Sequence, residues 1–257
     1  MLTTADGKVL AHWWVRAPNF GDLLAPWLVA KMSGRDVEFA PKGKAAYVTI
    51  GSILSYVTND CIVWGTGSFG TETNAQISSG ATYLAVRGPL TRNKLANMKI
   101  PCPRIYGDPA LLVPDYYRPE VPVTHEVGVV LRWSETERNE KFDIPGAKKI
   151  FFGSDDIEGT IDAMLSCKRI VSSSLHGLIV ADAYGIPNAW LDSHTPKGKE
   201  FKYWDYLLSV DKPRPPQAYK LIQPGLTADR LIADLNFDDR PIKIDLDLLR
   251  KVCPFKS

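Results

Sequence analysis

The sequence predicts an α/β protein made of two Rossmann-like halves that face each other across a cleft. Short apolar runs alternate with helical patterns along most of the chain, which is typical of parallel βαβ units. This alternation stops at the proline-rich segment 114–122 (PDYYRPEVP) and then starts again. The chain has 257 residues, enough for two units that each bury a core. We therefore predict domains over residues 1–117 and 118–257, with one continuous sheet as the alternative.

Each element of the first half follows from an apolar run or a turn signal. Short apolar runs predict strands because residues in a parallel sheet are buried on both faces. Gly34 ends the first helical pattern, and Pro89 stands in the favoured first turn of another. The predicted strands are Val9–Val15, Ala46–Ile50, Cys61–Trp64, Thr82–Val86 and Arg104–Tyr106; the predicted helices are Asp22–Met32, a short segment ending at Val57, and Pro89–Asn97.

The second half repeats the pattern and ends in helical segments. Gly185 and Pro187 close the helical segment that begins at His176. The predicted strands are Glu126–Leu131, Lys149–Phe152, Arg169–Val171 and Asn188–Leu191; the other predicted helices are Ile157–Leu165, Lys202–Leu208, Leu226–Leu235 and Leu246–Lys251.

Composition and charge exclude several classes of protein. The 31 basic and 29 acidic residues leave a net charge of +2, so the polybasic character of nucleic-acid-binding proteins is missing. The four cysteines are widely spaced, which disfavours a structural zinc site or a disulfide framework. The sequence has no signal-peptide pattern and no apolar run of about 18 residues. We expect a cytoplasmic protein with reduced thiols, without a metal or a bound cofactor.

The segment Gly65–Gly70 (GTGSFG) matches the G-x-G-x-x-G pattern of dinucleotide-binding loops. In those loops the pattern occupies the first βα turn, and an acidic residue follows about 20 residues later. Here it lies at the third predicted βα turn, and the next predicted strand ends in Val86-Arg87. We therefore interpret the segment as a flexible loop that lines the cleft, not as a nicotinamide or flavin site.

The stretch 169–191 (RIVSSSLHGLIVADAYGIPNAWL) is the most informative part of the chain. A strand-like run ends in three serines, and His176 opens a helical segment just after them. Open α/β sheets bind ligands beyond the carboxyl ends of their strands, and a helix start offers N–H groups to an anion. Serines are also favoured helix caps, so a purely structural role is the alternative.

Other polar residues also follow predicted strands. Singly, each has a structural explanation, such as a helix cap, an ion pair or a turn before proline. Together they predict a site for a small, multiply anionic ligand, because arginine forks fit phosphate and carboxylate groups. The residues are Arg16, Asn19, Asp22, Arg87, Asp108, Arg132 and Trp133.

Four segments together resemble the polysaccharide pyruvyltransferases, most closely the enzymes that add ketal pyruvate to bacterial exopolysaccharides. They are N-x-G-D from Asn19, R-G-P-L-T from Arg87, G-D-P-A-L-L from Gly107 and, most specific, S-S-L-H-G-L-I-x-A-D-A-Y-G-I-P from Ser173. The resemblance covers most of the chain. It implies a GT-B-like pair of Rossmann-like halves. It also implies transfer of the pyruvyl group of phosphoenolpyruvate onto two hydroxyls of one sugar, with release of phosphate.

By position, the resemblance implies that His176 is the catalytic histidine and that Asp22 or Asp108 assists it. Trp133 and Asp108 are the residues that we expect to contact the acceptor sugar. Many members carry an arginine where this chain has Ser174, so another cation is expected to hold the donor. The expected donor-binding residues are Arg132, Arg87, Arg16, Ser173, Ser174 and Asn19.

The partners that follow are phosphoenolpyruvate and a sugar acceptor in a glycan precursor, either free or lipid-linked. The segment Lys197–Tyr206 (KGKEFKYWDY) indicates a solvated amphipathic helix or, less favoured, contact with an anionic lipid carrier at the inner face of a membrane. Two other functions stay open at this point. One is a GT-B-type nucleotide-sugar glycosyltransferase, and the other is a non-catalytic protein that binds sugars or anions.

Overall fold

The computed structural model describes residues 1–192 and 200–255. The first sheet consists of β1 (Val9–His12), β2 (Val37–Phe39), β3 (Tyr47–Val48), β4 (Ile62–Trp64) and β5 (Thr82–Ala85). Their order is β2-β1-β3-β4-β5, and every neighbouring pair is parallel. The loops that follow the strands therefore leave the sheet at one common edge.

The second sheet is also parallel. Its strands are β6 (Val127–Leu131), β7 (Ala147–Phe151), β8 (Ile170–Ser172) and β9 (Asn188–Trp190), in the order β7-β6-β8-β9. β6 is buried at every position, as expected for an inner strand covered on both faces. These two parallel sheets confirm the predicted α/β class and have the strand arrangement of Rossmann-like units.

Helices connect the strands, and local signals set their ends. Gly34 ends α1 with a φ of 64°, a left-handed conformation that favours glycine, and its N–H donates to Ala30 O over 2.9 Å. Asp156 begins α4 by accepting a hydrogen bond from the Gly159 N–H over 2.9 Å. The helices are α1 (Phe20–Ser33), α2 (Pro89–Asn97), α3 (Thr136–Glu140), α4 (Ile157–Leu165), α5 (Leu175–Ala183), α6 (Phe201–Ser209), α7 (Ala228–Asp234) and α8 (Leu246–Lys251), with 3-10 turns at Leu54–Tyr56, Asn74–Gln76 and Pro109–Asp115. Within the described ranges, none of these helices combines the length and apolar character needed to cross a bilayer.

Several strands differ between the prediction and the structure. The strand predicted at Arg104–Tyr106 is wrong, because Tyr106 forms only an isolated bridge to Val86. Arg104 lies in a bend directly after Pro103, which cannot donate to a ladder, so no regular strand begins there. The edge strand β2 was not predicted, since it is short and exposes Glu38 in its middle. β1 also ends at His12, three residues before the predicted end at Val15.

The two halves share one hydrophobic core. Phe20 and Leu24 of α1 belong to the same buried cluster as Phe152 and Ile161 of the second half. The Phe20 and Phe152 rings lie 4.5 Å apart, and the Phe20 N–H donates to Phe152 O over 2.9 Å. This contact fixes the start of α1 against the end of β7 and so holds the two strand edges near each other.

The C-terminal segment returns to the first sheet. Trp64 Nε1 donates to the carbonyl oxygen of Leu249 in α8 over 3.0 Å. Phe255 packs edge-on against Tyr47 and Trp64. Residues 246–255 therefore pack on the first half although they follow the second half in the chain, and the boundary between 117 and 118 stays a prediction.

Candidate active site

A cavity of about 450 Å³ lies where strand ends of both sheets meet. Most of its walls are loops that follow strands, together with the first turns of α1 and α5. Six of the residues proposed from the sequence line it: Asn19, Asp22, Arg132, Trp133, Ser174 and His176. The other lining residues are Trp14, Ser52, Ile53, Ser55, Tyr56, Phe69, Thr71, Glu72, Gln76, Leu175 and Lys202.

His176 lies in the first turn of α5, between a carboxylate and a glycine. Its Nε2 atom is 3.7 Å from Oδ2 of Asp108, and its side chain is nearly buried. On the opposite side, a Cβ atom placed on Gly21 would lie 2.2 Å from Nδ1 of His176. Only glycine fits there, which explains the glycine of the N-x-G-D motif at the start of α1. The imidazole is therefore held from two sides by segments far apart in the sequence.

Asp108 supports His176 from behind and does not line the cavity. It is fully buried, and its Oδ1 accepts a hydrogen bond from the Ala110 N–H over 3.0 Å. Within the described part of the chain, neither Oδ2 of Asp108 nor Nε2 of His176 has a hydrogen-bond partner. Asp108 is therefore placed to orient the imidazole of His176.

Asp22 is the carboxylate that reaches the cavity. It lies in the first turn of α1, and its Oδ2 accepts a hydrogen bond from Nδ2 of Asn19 over 2.5 Å. Burial raises the pKa of Asp22, and the attraction of His176 and the hydrogen bond from Asn19 offset this only in part. A carboxyl whose pKa lies closer to the working pH is a better proton acceptor and donor.

The raised pKa of Asp22 predicts how the stability of the fold changes with pH. Between the ordinary pKa of 3.8 and the raised value, the folded protein binds more protons than the unfolded chain. The stability that this carboxyl contributes is therefore present below the ordinary value and lost as the pH rises through the folded pKa. We expect Asp22→Asn to raise the melting temperature at neutral pH, with a difference that shrinks toward about pH 4.

Thermal unfolding of Asp22→Asn and the native chain across the pH range measures this difference. Asp247→Asn is the matched control, because the Asp247 side chain is 93% exposed. A lower melting temperature of Asp22→Asn at neutral pH would contradict the burial argument.

Arg132 is oriented by a carboxylate that sequence reasoning missed. Glu135, nearly buried at the start of α3, accepts a hydrogen bond from the Arg132 backbone N–H over 3.0 Å and lies 3.8 Å from its Nε. Glu135 also pairs with Nη1 of Arg138 over 2.8 Å and accepts a hydrogen bond from the Ser173 hydroxyl. Ser173 is thus buried behind the cavity, where it links the ends of β6 and β8.

Arg87 is fully buried and does not line the cavity. Its guanidinium donates to Asp205 Oδ2 at 3.1 Å, to Ser68 O at 2.8 Å and to Ser52 Oγ at 2.7 Å. A Cβ atom on Gly67 would lie 2.2 Å from Cζ of Arg87, so the glycine-rich loop is shaped by packing around this side chain. Arg16 is exposed and is not among the lining residues either.

Lys202 is a second cation of the cavity, and the sequence analysis did not propose it as a site residue. It lies in the first turn of α6 and lines the cavity, with Nζ 5.1 Å from the ring centres of Phe69 and Tyr203. The helix is fixed on both sides, because the Tyr203 hydroxyl donates to Ser173 O and Asp205 pairs with Arg87. Among the described lining residues, Arg132 is the one arginine and Lys202 the one lysine.

The sequence favoured a solvated amphipathic helix for Lys197–Tyr206, because its three lysines are offset by two acidic residues. Residues 197–199 of that segment lie outside the described residues. The aromatic neighbours of Lys202, Tyr203 and Trp204, were the only local hint that this helix packs inward.

Comparison with known proteins identifies a family. The family model for polysaccharide pyruvyl transferases matches residues 47–195, which include Asp108, Arg132 and His176. The chain is also similar to the uncharacterized protein L143 of Acanthamoeba polyphaga mimivirus, with 29% identity over 221 residues, covering 80% of this chain and 76% of that protein. No solved structure gives a significant match. Because the family model covers more than half of the 257 residues, the chain belongs to the polysaccharide pyruvyl transferase family.

Proposed function

We propose that the protein transfers the pyruvyl group of phosphoenolpyruvate onto two hydroxyls of one sugar, giving a cyclic ketal and phosphate. Membership of the family indicates pyruvyl transfer in general. The observation that carries the proposal is the gathering of Arg132, Lys202 and the first turn of α5 around His176 and Asp22 in one cavity. A donor with a phosphate and a carboxylate suits such a set of cations and N–H groups.

Donor binding in this proposal uses the second-half wall of the cavity. Arg132 offers a planar fork to one anionic group, and Lys202 offers a point charge to the other. The first N–H groups of α5, beginning at Leu175, lack acceptors within the helix, and Leu175 and His176 line the cavity. Arg132 and Lys202 together take the place of the arginine that many relatives have at position 174, whereas Arg87 acts on the site through Ser52.

The chemistry balances without a further reactant. A proton adds to the methylene carbon of phosphoenolpyruvate, and the oxygen of one sugar hydroxyl bonds to the adjacent carbon. The bond from that carbon to the phosphate oxygen then breaks, and the second hydroxyl closes the ketal ring. Of the two protons that the hydroxyls lose, one replaces the proton given to the methylene carbon and the other leaves with phosphate.

His176 and Asp22 divide the proton transfers in this scheme. His176 gives the proton to the methylene carbon, with Asp108 orienting the imidazole. Asp22, with its raised pKa, takes the proton of the attacking hydroxyl. Arg132 and Lys202 stabilise the charge of the departing phosphate.

The proposal extends to the setting of the reaction. The acceptor is a sugar unit of an exopolysaccharide or cell-surface glycan precursor, carried on a lipid or presented free. The reaction takes place in the cytoplasm, at the inner face of the membrane when the acceptor is lipid-linked. The two halves are arranged in the GT-B-like manner, with donor and acceptor meeting between them.

Phosphoenolpyruvate is expected to stabilise the native protein against heat through Arg132 and Lys202. At about 100 times the dissociation constant, a bound ligand adds roughly 2.7 kcal/mol to the free energy of unfolding. We expect this shift in melting temperature to fall sharply in Arg132→Ala and in Lys202→Ala. The control Lys243→Ala removes an exposed lysine far from the cavity and should keep the full shift.

The opposite result is equally informative. A full shift in both variants would remove Arg132 and Lys202 from donor binding. A shift with nucleotide sugars, and none with phosphoenolpyruvate, would favour the glycosyltransferase function instead.

A further inference from the structure

The cavity is divided by charge between its two walls. Among the described lining residues, both basic side chains, Arg132 and Lys202, come from the second half. The charged side chains that the first half supplies are both acidic, Asp22 and Glu72. The rest of the first-half wall is aromatic, aliphatic, hydroxyl or amide: Trp14, Asn19, Ser52, Ile53, Ser55, Tyr56, Phe69, Thr71 and Gln76.

We propose that the first-half wall, completed by Trp133, is a subsite for an uncharged hexopyranoside unit and rejects anionic sugars. This inference rests on the proposed function, because it names the class of acceptor that shares the cavity with the donor. It assigns the donor to Arg132 and Lys202, and the acceptor to the first-half wall and Trp133.

Trp14 and Trp133 supply the apolar part of this subsite. Their ring centres lie 4.9 Å apart with the planes inclined by 43°, so they form one aromatic surface contributed by both halves. Trp133 is 37% exposed, an unusual state for so large an aromatic ring. The C–H face of a hexose is apolar while its edge carries hydroxyls, which matches an indole surface bordered by polar side chains.

Ser52 supplies a directed polar contact. Its Oγ accepts a hydrogen bond from Nη1 of the buried Arg87 over 2.7 Å. A hydroxyl that accepts from a cation still has its own hydrogen to donate, and this hydrogen then points away from the guanidinium. Arg87 therefore orients Ser52 as a donor toward a sugar oxygen on the cavity side.

Glu72 makes the same wall unfavourable for an anion. Burial by itself favours the neutral form of Glu72, but hydrogen bonds from the Ser68 hydroxyl and the Phe69 N–H outweigh it and lower its pKa. Glu72 is therefore ionised, with its charge paired to Lys94 behind the wall. Beside Glu72, a carboxylate or sulfate on the acceptor would lose its water next to a like charge, and the nearby cation Lys94 is already paired with Glu72.

Calorimetric titration of the full chain with three glycosides tests the subsite. The probes are methyl β-D-glucopyranoside, its uronamide and its uronate, of which the last two differ by little except charge. We expect the uronamide to bind about as well as the parent glycoside and the uronate to bind about tenfold more weakly or worse. We expect Trp133→Ala to weaken the neutral glycosides by about tenfold, Trp133→Phe to keep most of the affinity, and the control Trp27→Phe to change nothing.

Equal or tighter binding of the uronate, unchanged affinity in Trp133→Ala, or no binding of any glycoside would each overturn the subsite. The proposed function is judged separately, by phosphate release from phosphoenolpyruvate. Pyruvyl transfer onto a sugar without the charge preference would leave the function standing and the subsite refuted. The charge preference without phosphate release would leave the subsite standing and refute the proposed function.

Discussion

Replacing His176 with alanine is expected to lower the rate of phosphate release from phosphoenolpyruvate by about 10²- to 10⁴-fold, the usual contribution of a general acid–base group. His176 is the imidazole that lines the cavity, with Asp108 3.7 Å from its Nε2. Its loss would remove the proton source for the methylene carbon and leave Arg132 and Lys202 able to bind the donor. Stabilisation by phosphoenolpyruvate should therefore persist while turnover fails.

A second variant guards against a simple folding defect. His176→Gln keeps most of the side-chain volume beside Gly21 but supplies no group that titrates near neutral pH. Both variants should show a cooperative melting transition and a shift with phosphoenolpyruvate. Near-native rates of phosphate release in either one would refute the assignment of His176 to proton transfer.

Replacing Arg87 with methionine is expected to destabilise the fold by about 3–5 kcal/mol, which lowers the melting temperature by roughly 6–20 °C. Arg87 and Asp205 are both fully buried, and their ion pair joins the end of β5 to α6. Removing the guanidinium leaves the Asp205 carboxylate buried, with the N–H and hydroxyl of Thr91 as its remaining hydrogen-bond donors among the described residues. An uncompensated buried charge is among the most costly results of a single substitution.

The double variant Arg87→Met, Asp205→Asn tests the cause of this loss. Asparagine removes the charge but keeps an oxygen that accepts from Thr91, so part of the stability should return. Arg250→Met is the matched control, because its pairs with Asp115 and Asp247 are surface-exposed and worth about 0–1 kcal/mol. An unchanged melting temperature of Arg87→Met, with loss of the phosphoenolpyruvate shift, would instead make Arg87 a donor ligand.

Much of the site could be located from the sequence because of one geometric rule. In a parallel sheet all strands end at the same edge, so polar residues placed directly after apolar runs gather there. Asn19, Asp22, Arg132 and His176 were proposed for this reason together with the resemblance, and all four line the cavity. The strands themselves were found where an apolar run was long and central, as at β6, and missed where it was short and at an edge, as at β2.

The sequence by itself determined the α/β class, the parallel pattern of strands, the strand-end location of the candidate site and the family, since each depends on residues adjacent in the chain. Only the tertiary structure decided which of several charged residues near that edge reaches the cavity. Arg87 points away from the cavity because it pairs with Asp205 of α6, 118 positions later in the chain. The first turn of the same helix places Lys202 in the cavity wall. These placements depend on interactions between segments that are distant in the chain, because a buried charge is stable only when the fold brings an opposite charge next to it.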